Sequence, residues 1–249
     1  MKSVSGYLEC DDSIVRITSL GDIKDFLIMY GKSAGDMTEK ELSLLTKQKI
    51  NDYNLIKDDC GVLYCQNPII LQCGVPIISY KVKEGTVAIA DEAFALQDFS
   101  DSKQFSLNSI LLPESLVAIG HSSFKGKRNL STINFTSSLK FIGNKAFYNC
   151  NKLKQVVLPE STKYLGTHAF EGTGITTITI PSQVEKIGSF AFANCTLLKD
   201  VVFKGIPKRI GSNVFGSDSS LEKITIPMGT LDYFIKELFP LSKELFSEV

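Results

Sequence analysis

IGNKAFYNCNKLKQVVLP, residues 142–159, is the stretch from which the rest of the chain can be read. It holds an Ile-Gly pair, a phenylalanine four residues after the glycine, and an L-x-x-V-x-L run closed by proline. The pair recurs as Ile119-Gly120, Ile187-Gly188 and Ile210-Gly211, with Leu165-Gly166 and Ile89-Ala90 as variants. Successive spacings between the Gly (or Ala) positions are 30, 23, 23, 22 and 23 residues. Four residues after every anchor stands Phe94, Phe124, Phe147, Phe170, Phe192 or Phe215. The aliphatic runs share the register: Leu130/Ile133/Phe135, Leu153/Val156/Leu158, Ile175/Ile178/Ile180, Leu198/Val201/Phe203 and Leu221/Ile224/Ile226. Leu107/Ile110/Leu112 follows a seven-residue insertion, and Ile77/Tyr80/Val82 fits upstream, which brings the runs to seven.

A fixed period of this length marks a solenoid. Alternation such as Val156-Val157-Leu158 places every second side chain on one face of a short strand. Proline ends it, having no N–H for the ladder. Glycine in the anchor is expected to supply a positive φ at a corner, and the segment leading to phenylalanine reads as a short helical turn. One such coil cannot bury its own apolar side and must stack on neighbours. The expected fold is therefore a β-rich solenoid of about seven stacked rungs. Its six phenylalanines form an internal column, each buried ring contributing about 1.5–3 kcal/mol.

Residues 142–159, together with IGSFAFANCTLLKDVVF (187–203), resemble the BspA-like class of leucine-rich repeat. The upstream segment GVLYCQNPIILQCGVPIISYKVKEGTVAIADEAF (61–94) resembles that family's first rung. The resemblance extends from about Gly61 to Thr230 and implies a leucine-rich-repeat solenoid. It also implies bacterial surface or secreted proteins with adhesion or host-interaction roles. The asparagine ladder of the common eukaryotic repeat is missing: its position holds Ser115, Ser138, Ser161 and Val184.

The rungs divide the chain into three parts: residues 1–58 without repeats, the solenoid 59–229, and a cap 230–249. In the first, Thr38-Glu39-Lys40-Glu41 is a capping-box pattern opening a helix to about Leu55, and an earlier helix is expected from Leu20 to Tyr30. This part is either an N-terminal cap or a small domain. In the last, Leu231, Phe234, Ile235 and Leu238 have helical spacing, with Thr230 as N-cap and Pro240 as terminator. Leu241, Leu245 and Phe246 suggest a further short helix.

The 27 basic and 27 acidic residues cancel, so no global field draws the chain to nucleic acid or anionic lipid. No apolar run approaches the ~20 residues of a membrane span. Read from Met1 as the natural start, the sequence shows no apolar leader, which predicts a cytoplasmic protein; the family resemblance implies the surface instead. Cys60, Cys65 and Cys73 lack a histidine or a C-x-x-C pair and are expected as free thiols. Cys150 and Cys195 lie three residues after their phenylalanines and two rungs apart. That separation of ~9–10 Å exceeds disulfide reach, so both are expected free and inward-facing.

Signatures of catalysis are scarce: no P-loop or H-E-x-x-H occurs. His121 and His168 fall at different rung positions and read as exposed turn residues. Asp11-Asp12 and Asp58-Asp59 lack a calcium-loop frame. No enzyme, cofactor or metal is expected. The outward positions of the strand sheet are the candidate binding face: Ser109, Thr132, Gln155, Thr177, Asp200 and Lys223 in one column, and Leu111, Asn134, Val157, Thr179, Val202 and Thr225 in the other. The face is neutral and small-featured, without stacking aromatics, and Thr and Val are also simply what exposed strands prefer. Lys140, Lys163, Lys186, Lys208 and Arg209 form a second, basic stripe, a form of edge protection as much as a docking feature. The leading expectation is a non-catalytic scaffold that binds a protein. A solenoid whose first 58 residues do the recognising comes next, and an enzyme with sequence-distant groups third.

Overall fold

The computed structural model describes residues 6–10, 13–17, 39, 56–59, 62–64, 69–73, 77–95, 107–217, 220–238 and 240–249. The anchors form one wall of a coil. Ala88–Ile89, Ala118–Ile119, Phe141–Ile142, Tyr164–Leu165, Lys186–Ile187 and Arg209–Ile210 are parallel two-residue strands in consecutive register. Upstream, Ile69–Cys73 continues this sheet in parallel, and Val62–Tyr64 and Ile56–Lys57 extend it antiparallel, for nine strands in all.

The aliphatic runs form the opposite wall, in two pieces. Ser79–Lys81, Ser109–Leu111 and Thr132–Asn134 make one parallel sheet. Thr177–Ile180, Asp200–Phe203 and Lys223–Ile226 belong to another. The rung between them departs from expectation. Leu153, Val156 and Leu158 point inward and Lys154, Gln155 and Val157 outward, yet no strand forms there. The break falls beside Phe135, whose ring stands edge-on to Phe147 (5.6 Å) and Phe170 (6.4 Å) and so spans two rungs.

Between the walls runs the phenylalanine column. Centroids of Phe94, Phe124, Phe147, Phe170, Phe192 and Phe215 succeed one another at 5.0, 5.2, 5.1, 5.5 and 5.8 Å, each pair stacked. All six are buried. Each amide from Phe124 to Phe192 donates to the carbonyl just before the next phenylalanine at 2.8–2.9 Å, so the column carries its own backbone ladder.

The corners differ from the sequence reading in two ways. The anchor glycines do not adopt positive φ; that conformation falls two residues later, on Glu92, Ser122, Lys145, His168, Phe190 and Asn213. The segment is thus a pair of turns rather than a helical turn. Glycine is required for proximity: a Cβ on Gly166 would lie 2.4 Å from the Asn144 amide nitrogen, and one on Gly211 2.2 Å from that of Ser189. Ala90 is tolerated at the first anchor, where the preceding strand runs on as far as Cys73.

A side-chain ladder crosses the corners. Asp91 Oδ1 accepts from the His121 amide, His121 Nδ1 from that of Asn144, and Asn144 Oδ1 from that of Thr167 (2.7–2.8 Å). Where the eukaryotic repeat has asparagine, Ser115 and Ser161 donate to the carbonyls of Thr86 and Leu139 in the preceding rung. Cys150 and Cys195 are buried free thiols, as expected, and donate to the Phe124 and Phe170 carbonyls. Desolvation pushes the Cys150 thiol up, with the Lys127 backbone and charge opposing in part.

The ends need correction. Gly6–Cys10 and Ser13–Ile17 form an antiparallel hairpin, so the first part is not helical throughout. The expected helix Leu20–Tyr30 lies outside the described residues, and so does that from Thr38 to Leu55 apart from Glu39, which is helical. Cys60 and Cys65 also lie outside them. At the other end Leu231–Glu237 is a helix, but the Thr230 hydroxyl does not cap it and donates to the Pro227 carbonyl instead. Glu248 Oε1 accepts from the Thr230 and Leu231 amides, placing a negative charge at the helix start. The expected second helix is only a 3₁₀ turn, Lys243–Leu245. Phe246–Glu248 then adds a parallel strand beside Lys223–Ile226. An open ladder edge is a stronger local template than apolar spacing in so short a segment.

Candidate functional site

Outward positions on the run wall are set by the pleat: inward Ile178, Val201 and Ile224 are buried, and their neighbours face out. The pairing places Thr132 beside Ser109, and Thr177, Asp200 and Lys223 in line; Asn134 sits beside Leu111, and Thr179, Val202 and Thr225 in line. Both sequence columns are therefore in register wherever the ladder exists, and Gln155 and Val157 occupy the unladdered rung at mid-face. Val157 is 82% exposed and Leu111 49%.

The members are not equivalent. Asn134 Oδ1 accepts from the Leu112 amide and Nδ2 donates to the Leu112 carbonyl, so this amide closes a strand rather than offering itself to a partner. Ser109 pairs with Ser79 through their hydroxyls. Below the face lies a feature the sequence reading missed. Glu114 accepts from Ser137, and Glu160 from Ser182, each through the backbone N–H and the hydroxyl. Lys204 donates to Glu160 at 2.7 Å, and this hydrogen bond holds the Glu160 carboxyl below its ordinary pKa. The signal was the placement of the two glutamates one residue after Pro113 and Pro159.

The basic stripe is largely neutralised. Glu185 lies between Lys163 (3.7 Å) and Lys208 (2.8 Å), and Lys186 donates to both carboxylate oxygens of Glu39 at 2.8 Å. That last pair ties Glu39 to the anchor wall. The histidines are half-buried and bonded, not merely exposed. His121 packs edge-on to Phe141, and His168 stacks on Phe190 at 5.0 Å with Nδ1 against the Glu171 carboxylate. Among the described residues no cluster of His, Cys, Asp or Glu could hold a metal. No described helix is long and apolar enough to cross a membrane.

The sequence matches the BspA type leucine-rich repeat region in six copies, over residues 89–204 and 117–245. Solved structures share the fold. A leucine-rich repeat protein from Bacteroides ovatus is 24% identical, covering 72% of this chain and 49% of its own, with a TM-score of 0.53. The pneumococcal vaccine antigen PcpA is 20% identical, covering 86% and 49%, with a TM-score of 0.64. The Treponema pallidum leucine-rich repeat protein is 20% identical, covering 81% and 100%, at 0.56. The chain spans about half the length of the first two. No curated protein matches it.

Proposed function

Because the chain belongs to the BspA-type leucine-rich repeat family, we propose that it is a non-catalytic docking scaffold whose run wall meets a protein partner, displayed at a bacterial surface in an adhesive role. The observation that supports this reading is the register of the two outward columns around the exposed Val157. A face held by backbone ladders on either side of the Gln155–Val157 rung loses little conformational freedom when covered, which favours contact with another rigid surface.

Its size limits what it does. Six rungs at ~4.8 Å and three residues of width at ~3.3 Å make roughly 250 Å², against about 800 Å² per partner in a standard interface. A partner that binds tightly must therefore also reach the Glu160–Lys204 border, and one confined to the strands binds weakly and relies on multiple copies. The same residues at a surface rich in other copies suit the second mode.

Photo-crosslinking tests the reading. Benzoylphenylalanine replaces Gln155 in the full chain, or Lys125 on the corner side as control, and both are exposed to the same surface-protein mixture. Adducts formed from position 155, absent from 125 and lost with Val157→Asp, are the expected result. Equal adducts from both positions overturn it, and adducts carried only by residues 1–58 favour the N-terminal part as the recognising element.

A further inference from the structure

The corner side carries a groove that the docking face does not use. It has a volume of about 490 Å³ and lies between the last three corners and the C-terminal cap. Phe190 and Phe215 supply aromatic surface; His168, Glu171, Asn194 and Asn213 line the polar side; and Leu238 and Leu241 of the cap stand opposite. The volume falls within the usual range for small-ligand pockets.

Three observations narrow its ligand. First, Phe190 is a ring in an unusual place. It has φ of +59°, a conformation that bulky side chains rarely adopt, at a corner position otherwise occupied by Glu92, Ser122, Lys145, His168 and Asn213. One face of the ring is stacked on His168 at 3°. The next residue in that column is Asn213, so no second ring covers Phe190 from the following rung. Second, the polar side is already organised. Glu171 takes His168 Nδ1 with one carboxylate oxygen and Asn194 Nδ2, at 2.8 Å, with the other. A carboxylate accepts about four hydrogen bonds, so Glu171 retains capacity for two more donors in a fixed orientation. Third, among the described residues no lysine or arginine lines the groove, and they give a phosphate or carboxylate ligand no cation to pair with.

A flat apolar platform beside oriented acceptors and amides, with no cation, complements a neutral ring that is apolar on one face and edged with hydroxyls. We infer that this groove binds a neutral pyranose sugar, stacked on Phe190 and donating hydroxyl hydrogen bonds to Glu171. The site is independent of the protein-docking face, which lies on the opposite wall, and the cap contributes one side of it. Free monosaccharide and the end of a glycan chain offer the same chemistry.

Saturation-transfer NMR on the full chain tests this. The probes are the methyl β-glycosides of glucose, galactose and N-acetylglucosamine, and tri-N-acetylchitotriose. The expected result is transfer to the ring protons of at least one probe, retained in Phe190→Tyr and about tenfold weaker binding in Phe190→Leu. Both variants are checked for an unchanged circular-dichroism melt; should Phe190→Leu unfold, Asn194→Gly, which removes the amide holding Glu171 and suits the φ of +57° there, replaces it with the same expected loss. Tighter binding of the trisaccharide identifies a glycan end, and equal binding a free sugar; both support the site. No transfer from any probe overturns it, as does transfer undiminished in Phe190→Leu.

Discussion

Replacing Gly166 by alanine isolates the contact that sets the spacing of the coil. The new methyl carbon would lie 2.4 Å from the Asn144 amide nitrogen, 2.5 Å from the Gly143 carbonyl carbon and 2.7 Å from Asn144 Oδ1. Two of these are backbone atoms, so no rotamer change relieves them. Retreat of the chain would stretch two hydrogen bonds, Gly166 N–H to the Ile142 carbonyl and Thr167 N–H to Asn144 Oδ1, both 2.8 Å. Overpacking costs about 1–3 kcal/mol, and weakening those bonds adds about 1 kcal/mol. The expected loss is about 2–4 kcal/mol. Gly229→Ala is the control for the opposite mechanism: its Cβ meets nothing within 4 Å, but its φ is +76°. It should lose only about 1 kcal/mol, from the left-handed conformation. Urea unfolding followed by far-ultraviolet circular dichroism reads both, with the slope m reporting whether the cooperative unit is unchanged. A Gly166→Ala chain within 0.5 kcal/mol of wild type, on the order of ordinary surface substitutions, would refute the argument that the rungs touch through their anchor glycines.

Phe170→Ala, in mid-column between rings at 5.1 and 5.5 Å, should cost about 3–5 kcal/mol by the same assay, and an unchanged midpoint would count against the column. Thr162 is fully buried and its hydroxyl has no hydrogen-bond partner, so Thr162→Val should raise stability by about 1 kcal/mol in thermal melts. The Cys150 thiol, ordinarily titrating near 9.0, is pushed up by burial, so the folded chain keeps a proton that the unfolded chain releases. Its contribution is complete below that pH and lost above it. Wild type should therefore lose stability relative to Cys150→Ala by up to about 1.4 kcal/mol per pH unit from pH ~9 to ~11, and parallel curves would contradict it.

The phenylalanine column and the register of the outward face were legible because both depend on identity at a constant spacing, and parallel pairing preserves spacing as alignment. Gly166 was legible as a requirement but not in its reason: a sequence shows that glycine is needed, not whether a dihedral or a neighbouring rung needs it. Phe190 shows the converse, a side chain with no propensity for the left-handed conformation that the ladder on both sides imposes on it. Phe246–Glu248 was misread because its strand exists only by virtue of the edge left by Lys223–Ile226, which no local pattern encodes. The commitment of Asn134 to Leu112, and the presence of His168 and Leu241 on one groove, depend on the three-dimensional placement of residues far apart in the chain.

The corner ladder has a consequence for how such a chain changes over generations. Each corner takes its acceptors, its van der Waals stop and its ring partners from the coils immediately before and after it. Cutting out or duplicating one complete period therefore leaves every junction with equivalent partners, and the 22- and 30-residue spacings show residues lost or gained between the columns without breaking them. Whole-unit gain and loss is the inexpensive route by which relatives of unequal length can keep one cross-section.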